Sequence, residues 1–175
     1  SGLPALTRRG PLDRQERYDD LLFPRGGGPG MLASSPGGGP SVDNGRKAFE
    51  TACAKCHRVD TVGRAYGPDL SNLQAMPRRD ILRAIFFPDE RVDPKYETTV
   101  IVTRDRQTIR GLVVSEDARN VMVKTAEGAD PVTVQKSRIS SRTKERTSIM
   151  PDGLPDTVGD SAIRDVVAYL MSTRK

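Results

Sequence analysis

Cys53-Ala54-Lys55-Cys56-His57 is the stretch of sequence around which the chain is organised. Two thiols three positions apart on a helical turn can each add to one vinyl group of a single porphyrin, and the pattern C-x-x-C-H is typical of covalent haem attachment. The adjacent histidine then lies under the ring, where its imidazole can bind the iron. The motif therefore predicts one haem c, bound covalently by Cys53 and Cys56, with His57 as an axial ligand.

Two other uses of this motif fit the chain less well. A thioredoxin-type dithiol follows a strand within a βαβ unit, and nothing before Cys53 has the pattern of a strand. A closed structural zinc site needs four ligands. The chain has only two Cys and one His, all within five consecutive residues, so a fourth ligand would have to be a carboxylate.

The composition indicates one domain, or one small domain with an addition. The chain has 175 residues, is 35% hydrophobic and contains no Trp, so a porphyrin would contribute apolar surface to a lean core. No apolar run approaches the roughly 18 residues that span a membrane. The net charge of +5 permits an acidic protein partner, and we expect no nucleic acid partner.

The expected location is periplasmic or extracellular, because haem c is attached outside the cytoplasm. The sequence opens with Ser1-Gly2-Leu3-Pro4 and shows no signal peptide. We therefore expect that a leader or lipoprotein segment has been removed.

Residues 1–41 are rich in Gly and Pro and are predicted to form an extended arm. The arm is either a flexible linker to an anchor or another domain, or a segment that lies along its own domain or a neighbouring subunit. The second possibility would allow a homo-oligomer. Arg14 to Phe23 could form a short helix, with Tyr18 and Leu21 among its apolar residues.

A helix is predicted from Asp43 to Cys53, capped by Ser41 or Asp43. Gly45 and Phe49 lie four residues apart on this helix. The glycine allows a second helix to approach closely, and the phenylalanine fills the crossing point.

The partner of this helix is predicted to be the C-terminal helix over residues 160–172, capped by Asp160 or Ser161. Its apolar stripe contains Ile163, Val166, Val167, Tyr169 and Leu170. A further helix is predicted from Pro77 to Phe87 and ends before Pro88.

An axial histidine needs an acceptor for its second ring nitrogen, which fixes the tautomer and the ring angle. Gly67-Pro68-Asp69 follows His57 by about ten residues and has the composition of a tight turn. We predict that the Pro68 carbonyl is this acceptor, although a plain turn would have the same sequence.

The predicted sixth ligand is Met150, which lies in a Pro- and Gly-rich loop rather than in an apolar stripe. A thioether opposite the histidine completes six-coordination and raises the reduction potential. Met76, in the loop before a predicted helix, is the main rival. The other methionines fit less well, because they lie in the arm, in a predicted strand and at the chain end: Met31, Met122 and Met171.

The segment between residues 95 and 147 changes to a β-type pattern. Turn-like tetrads, the last of them 127–130, separate most of its short runs, which predicts a small antiparallel sheet or a partly closed barrel. The runs are 98–103, 108–115, 121–125, 132–135 and 138–141. Residues 95–148 hold eleven Lys or Arg and seven Asp or Glu. The excess of positive charge could form a docking surface for an acidic partner, or the charges could be solvated on the strand faces and protect the sheet edges.

Residues 43–73 and 148–170 together resemble a class I monohaem cytochrome c. The resemblance is carried by Gly45 and Phe49, the C-x-x-C-H motif, Gly67-Pro68-Asp69-Leu70, Met150-Pro151 and Tyr169-Leu170. It implies that the first and last helices cross beside the haem and that the Met150 loop supplies the sixth ligand. It also implies that the haem pocket includes Phe49, Gly67, Pro68, Leu70, Pro151 and Leu154.

The middle of the chain departs from the simplest members, because 93 residues separate His57 from Met150. With this segment, residues 43–172 resemble a bacterial cytochrome c-like haem-binding domain with a β-strand insert, often appended to large secreted dehydrogenase-like proteins. Its first hairpin commonly carries Asp-Gly, where this chain has Asp105-Arg106.

The expected fold is a mainly α cytochrome c core with an inserted antiparallel β module, α+β overall. The core is assigned to residues 42–94 and 148–175, the β module to 95–147, and the arm to 1–41. The expected function is electron transfer with redox partner proteins and no enzymatic activity. The alternatives are a five-coordinate haem sensor or peroxidase, and a subunit of a haem-bearing assembly built through the arm and the β module.

Overall fold

The computed structural model describes residues 11–22, 39–126 and 130–173, apart from the side chains of residues 11–13. Its helices are α1 (Pro11–Leu22), α2 (Val42–Ala52), α3 (Arg78–Phe86), α4 (Leu154–Val158) and α5 (Asp160–Ser172). Its strands are β1 (Arg58–Val59), β2 (Val62–Gly63), β3 (Thr98–Thr103), β4 (Thr108–Glu116), β5 (Asn120–Lys124), β6 (Val132–Gln135) and β7 (Ile139–Glu145). This mixture of helices and antiparallel sheet confirms the predicted α+β fold class. Within the described ranges, no helix combines the length and the apolarity that a membrane crossing requires.

Helices α2 and α5 form the most extensively packed pair of helices in the described structure. Ser41 caps α2, and its hydroxyl accepts a hydrogen bond from the Asn44 backbone N–H at 3.2 Å. A Cβ built at Gly45 would lie 1.9 Å from the backbone oxygen of Asp165, so the two backbones are in close contact. Phe49 is fully buried beside this crossing. The predicted helix crossing is therefore present, for the steric reason that the Gly45 position indicated.

The predicted cap of the C-terminal helix is wrong. Gly159, at φ 87°, precedes the first helical residue, and no side chain caps the helix. Asp160 is instead the first residue of α5, where its carboxylate lies near the positive end of the helix and binds an arginine of α1. A backbone bend at a positive φ favours glycine, which explains why the chain turns into α5 at this residue.

The short helix predicted within the arm is present as α1, and it packs against α3. Tyr18 and Leu21 are buried, and the Tyr18 ring makes edge contacts with Phe86 and Phe87 at centroid distances of 6.0 and 5.8 Å. The Tyr18 hydroxyl donates a hydrogen bond to the Arg79 carbonyl at 3.1 Å. Residues 11–22 therefore lie along their own domain, while the rest of the predicted extended arm, 1–10 and 23–38, lies outside the described residues.

One hydrophobic cluster, the helical core, joins α1, α2, α3 and α5. Its buried members are Tyr18, Leu21, Phe49, Val59, Ile81, Leu82, Phe86, Ile163, Val166, Val167, Tyr169 and Leu170. The structure has α3 at Arg78–Phe86, after Pro77, which confirms the predicted third helix to within one residue at each end.

The five longer strands form one antiparallel sheet in the order β6-β5-β4-β3-β7. In a flat sheet the two edge strands would lie about 19 Å apart, at about 4.8 Å per strand. Yet only the 3-10 turn Lys136–Arg138 separates β6 from β7 along the chain, and three residues span at most about 14 Å even when extended. The sheet therefore curls into a partly closed barrel. The sequence had predicted either this form or a small open antiparallel sheet.

The interior of the barrel holds a second cluster, the barrel core, with Ile101, Val121, Val123 and Val134 as its buried members. Three strands differ from the prediction: β4 ends one residue later, at Glu116, β5 begins and ends one residue earlier, and β7 covers Ile139–Glu145 instead of 138–141. The β3–β4 turn places Arg106 at φ 65°, a left-handed backbone conformation that favours glycine. Residues 127–129 of the last predicted turn lie outside the described residues.

Candidate haem-binding site

The C-x-x-C-H motif is placed by the end of α2. Cys53 follows the helix, and its N–H donates to the Phe49 carbonyl at 2.8 Å. The N–H groups of Cys56 and His57 both donate to the Cys53 carbonyl, at 3.1 and 2.9 Å. These bonds fold the motif into one tight turn, so that both thiols and the imidazole are held by the same short piece of backbone.

Both cysteines are free thiols and half-buried. Burial raises the pKa of the Cys53 thiol to about 11, with a further contribution from the neighbouring Cys56. A thiol with a raised pKa is largely protonated at neutral pH, whereas a redox-active dithiol depends on a lowered pKa. This environment disfavours the thioredoxin-type interpretation.

The imidazole of His57 makes the hydrogen bond that the sequence predicted. Nδ1 lies 2.8 Å from the Pro68 carbonyl oxygen, which can only accept, so Nδ1 carries the proton. Burial lowers the pKa of His57, which favours the neutral ring. In this tautomer Nε2 has a free lone pair, as an iron ligand requires.

The loop that carries Pro68 is tied to the motif by backbone hydrogen bonds. The N–H groups of Tyr66 and Gly67 both donate to the Cys56 carbonyl, at 3.0 and 2.7 Å. A Cβ built at Gly67 would lie 2.8 Å from His57 Cε1, so any larger residue would press on the imidazole. The glycine therefore lets the loop backbone lie directly against the ring.

Asp69 fixes the far side of the same loop. Its carboxylate accepts hydrogen bonds from the backbone N–H of Ser71 at 2.9 Å, from the Ser71 hydroxyl, and from the Arg58 guanidinium at 2.6 Å. The bonds from Ser71, followed by those from Arg58, hold the pKa of Asp69 well below its usual range. An ionised Asp69 thus anchors the residue next to Pro68.

Met150 lies in a separate loop, and the structure does not show it beside His57. Its N–H donates to the Ser148 hydroxyl at 3.0 Å, and the Ser148 N–H donates to Asp89 at 2.6 Å. Met150 and Pro151 line a cavity of about 760 Å³ that continues along the barrel strands. Cys53, Cys56 and His57 do not line this cavity, so the axial pairing of His57 with Met150 stays a prediction.

The other methionines differ in their surroundings. Met76 and Met122 are exposed, at 41% and 37% of their surface, whereas Met171 packs against the helical core. Met150 is half-buried on the wall of the cavity. Met31 lies outside the described residues.

The remaining predicted pocket residues lie in different places. Phe49 is fully buried and packs against Tyr169, with ring centroids 5.6 Å apart. Leu70 packs against the helical core. Pro151 is exposed beside Met150, and Leu154, half-buried, begins the short helix α4, which the sequence did not predict.

The sequence also did not predict that the barrel contacts the histidine loop. Lys124 is fully buried, with its ammonium 5.6 Å from the centre of the Tyr66 ring, and Arg64 pairs with Asp130 at 3.4 Å. Lys124 ends β5 on the face opposite the barrel core, since Val121 and Val123 alternate with it. A charged residue in a strand gives no local indication of such burial, so no signal in the sequence could have identified the contact.

The residues present fit a covalently bound haem. Two thiols and one imidazole lie on one turn, and the imidazole is neutral with its second nitrogen already bonded. Gly67 leaves room for the His57 imidazole only because it lacks a Cβ. In the described ranges no cluster of three or more His, Cys, Asp and Glu forms an alternative metal site.

The motif, the histidine loop and the crossing helices α2 and α5 together define a c-type haem-binding domain. Residues 42–100, about a third of the chain, match the family model for cytochrome c. The matched segment includes the motif, the Pro68 loop and α3, and it ends inside β3. The match supports a cytochrome c-type domain with a haem c cofactor and a role in electron transfer. No curated protein sequence matches the chain significantly.

Proposed function

We propose that this protein carries electrons outside the cytoplasm through one haem c bound to Cys53 and Cys56, with His57 and Met150 as the axial ligands. The observation that supports the proposal most is the hydrogen bond between His57 Nδ1 and the Pro68 carbonyl at 2.8 Å. This bond fixes the orientation and the tautomer of the imidazole and leaves Nε2 without a proton, as an iron ligand requires.

When bound, haem c supplies an iron that alternates between the ferric and ferrous states. The protein residues keep the coordination the same in both states. His57 stays neutral because it is buried and donates its Nδ1 proton to Pro68. Asp69 and Gly67 hold the loop against the imidazole, which would keep His57 in one orientation when the haem is bound.

Two features support electron transfer rather than catalysis. If His57 and Met150 both bind the haem iron, as proposed, no position would be left open for a substrate. The groups that the structure shows against the His57 imidazole are the Pro68 carbonyl and the Gly67 backbone, and neither is an acid or a base. The redox partner remains to be identified, and assembly into a homo-oligomer stays a prediction.

The test is the optical spectrum and the reduction potential of the holoprotein and of Met150→Ala, with Met76→Ala as a matched control. A thioether ligand gives a weak band near about 695 nm in the oxidised protein and a raised potential. We expect both to be lost in Met150→Ala and kept in Met76→Ala, with haem still attached in both variants.

Two other outcomes would contradict the proposal. Loss of the band in Met76→Ala would assign the sixth ligand to Met76. A high-spin iron that binds CO readily in the unaltered protein would favour the five-coordinate sensor or peroxidase.

A further inference from the structure

Helix α1 lies outside the segment that matches cytochrome c, yet it packs firmly on the described domain. Tyr18 and Leu21 are only 6% and 5% exposed, and they fix the helix to α3 through ring contacts and the Arg79 carbonyl. Because α1 is anchored by buried side chains, the positions of its charged residues are also determined.

Two arginines on α1 face the segment that follows Met150. Arg17 Nε lies 3.1 Å from both carboxylate oxygens of Asp160, and its guanidinium also binds Asp156. Its third contact is with the Pro155 carbonyl, at 2.8 Å. Arg17 thus holds α4 and the start of α5 together.

Arg14 extends the same set of contacts towards the loop itself. Its guanidinium lies 3.0 Å from Asp152, which is two residues after Met150. The Arg14 and Arg17 side chains are 26% and 14% exposed, whereas their partners Asp152 and Asp156 are 59% and 62% exposed, so water partly screens both pairs.

Asp156 and Asp160 both bind the Arg17 guanidinium, so their two negative charges lie close together and would repel one another without it. The hydrogen bond with Asp160 is the main cause of a raised pKa for Arg17, which agrees with a charge-assisted contact. Without the two arginines, this acidic segment would lose the contacts that fold it against the helical core.

We propose that α1 is a positioning element for the Met150 loop, in which Arg14 and Arg17 hold residues 152–160 and thereby keep Met150 in position to bind the iron. This inference rests on the proposed function, since it takes Met150 as the sixth ligand. The contacts of the two arginines are with residues 152–160, so both would act on Met150 through the loop.

The test uses the holoprotein and measures how readily added imidazole replaces Met150 on the oxidised iron. Arg14→Gln removes only the partly exposed contact with Asp152 and leaves the Tyr18 and Leu21 anchors, so it should fold. For Arg14→Gln combined with Arg17→Gln we expect imidazole to bind about tenfold more tightly, with a smaller increase for Arg14→Gln alone. The band near about 695 nm should weaken in parallel.

Two controls separate positioning from general destabilisation. Arg46→Gln removes a comparable arginine–carboxylate pair, with Glu50, on the exposed face of α2, and should leave imidazole affinity unchanged. Exchanging the charges, with Arg14→Glu and Asp152→Arg together, should restore the affinity of the unaltered protein.

The results distinguish this inference from the proposed function. If the unaltered protein shows the band and Met150→Ala lacks it, but the arginine variants bind imidazole as Arg46→Gln does, then the positioning role alone is refuted. If the unaltered protein has no thioether band, the ligand assignment fails and the positioning role fails with it.

Discussion

Replacing Gly45 by alanine would place a methyl group where the backbone of α5 already lies. The added Cβ would be 1.9 Å from the Asp165 carbonyl oxygen and 2.9 Å from Tyr169 Cβ, whereas ordinary contacts begin near 3.4 Å. The obstacle is a helix backbone and not the flexible end of a side chain. We therefore expect α2 and α5 to move apart by about 1.5 Å, which would loosen the contact between Phe49 and Tyr169.

The magnitude follows from two opposing terms. Overpacking against a fixed backbone costs about 3 kcal/mol, the upper end of its usual range. Alanine within a helix recovers about 1 kcal/mol relative to glycine. The free energy of unfolding should therefore fall by about 2 kcal/mol, which lowers Tm by roughly 4 to 8 °C in a protein of this length.

The assay is thermal and denaturant unfolding of the holoprotein, followed by circular dichroism. Asn44→Ala is the matched control, because Asn44 is exposed on the same helix and only its backbone N–H bonds to the Ser41 cap. It should change stability by less than about 0.5 kcal/mol. If Gly45→Ala proved as stable as Asn44→Ala, the close approach of the two helices at this residue would be refuted.

Three further predictions concern the histidine loop and the barrel. In Gly67→Ala the new Cβ would press on His57. The pH at which the imidazole leaves the iron on acidification, measured from the optical spectrum, should therefore rise by about one unit. Gly39 has open space around it, so Gly39→Ala should leave this pH unchanged. The pKa of Asp69 is depressed in the folded protein, so its contribution to stability is present above its unfolded pKa of about 4 and is lost as the pH falls through the folded value. Asp69→Asn should accordingly lower Tm at pH 7 and by a smaller amount at pH 3, and an equal loss at both would contradict this. Ile101→Ala should cost about 2 to 5 kcal/mol, because the side chain is fully buried in the barrel core, and should speed amide exchange in β3–β7 without changing the haem spectrum.

The features of the fold and the site that depend on residues close together in the sequence could be predicted without the structure. His57 and Pro68 are eleven residues apart, and the turn that holds Pro68 was recognisable from its Gly and Pro. Gly45 predicted the α2–α5 crossing because only glycine fits a backbone contact. The five barrel strands were likewise predicted, to within a few residues at their ends, from short β-type runs and the turn residues between them.

Contacts between segments that are far apart in the sequence became visible only in the tertiary structure. Arg17 and Asp160 are 143 residues apart, and Tyr18 and Arg79 are 61 apart, so neither contact has a local signature. In the sequence, Lys124 is an ordinary charged residue of a predicted strand. It is buried beside Tyr66 because the barrel packs on the histidine loop. Periodicity and turn residues report the conformation of a few neighbouring residues, whereas such contacts depend on the path of the whole chain.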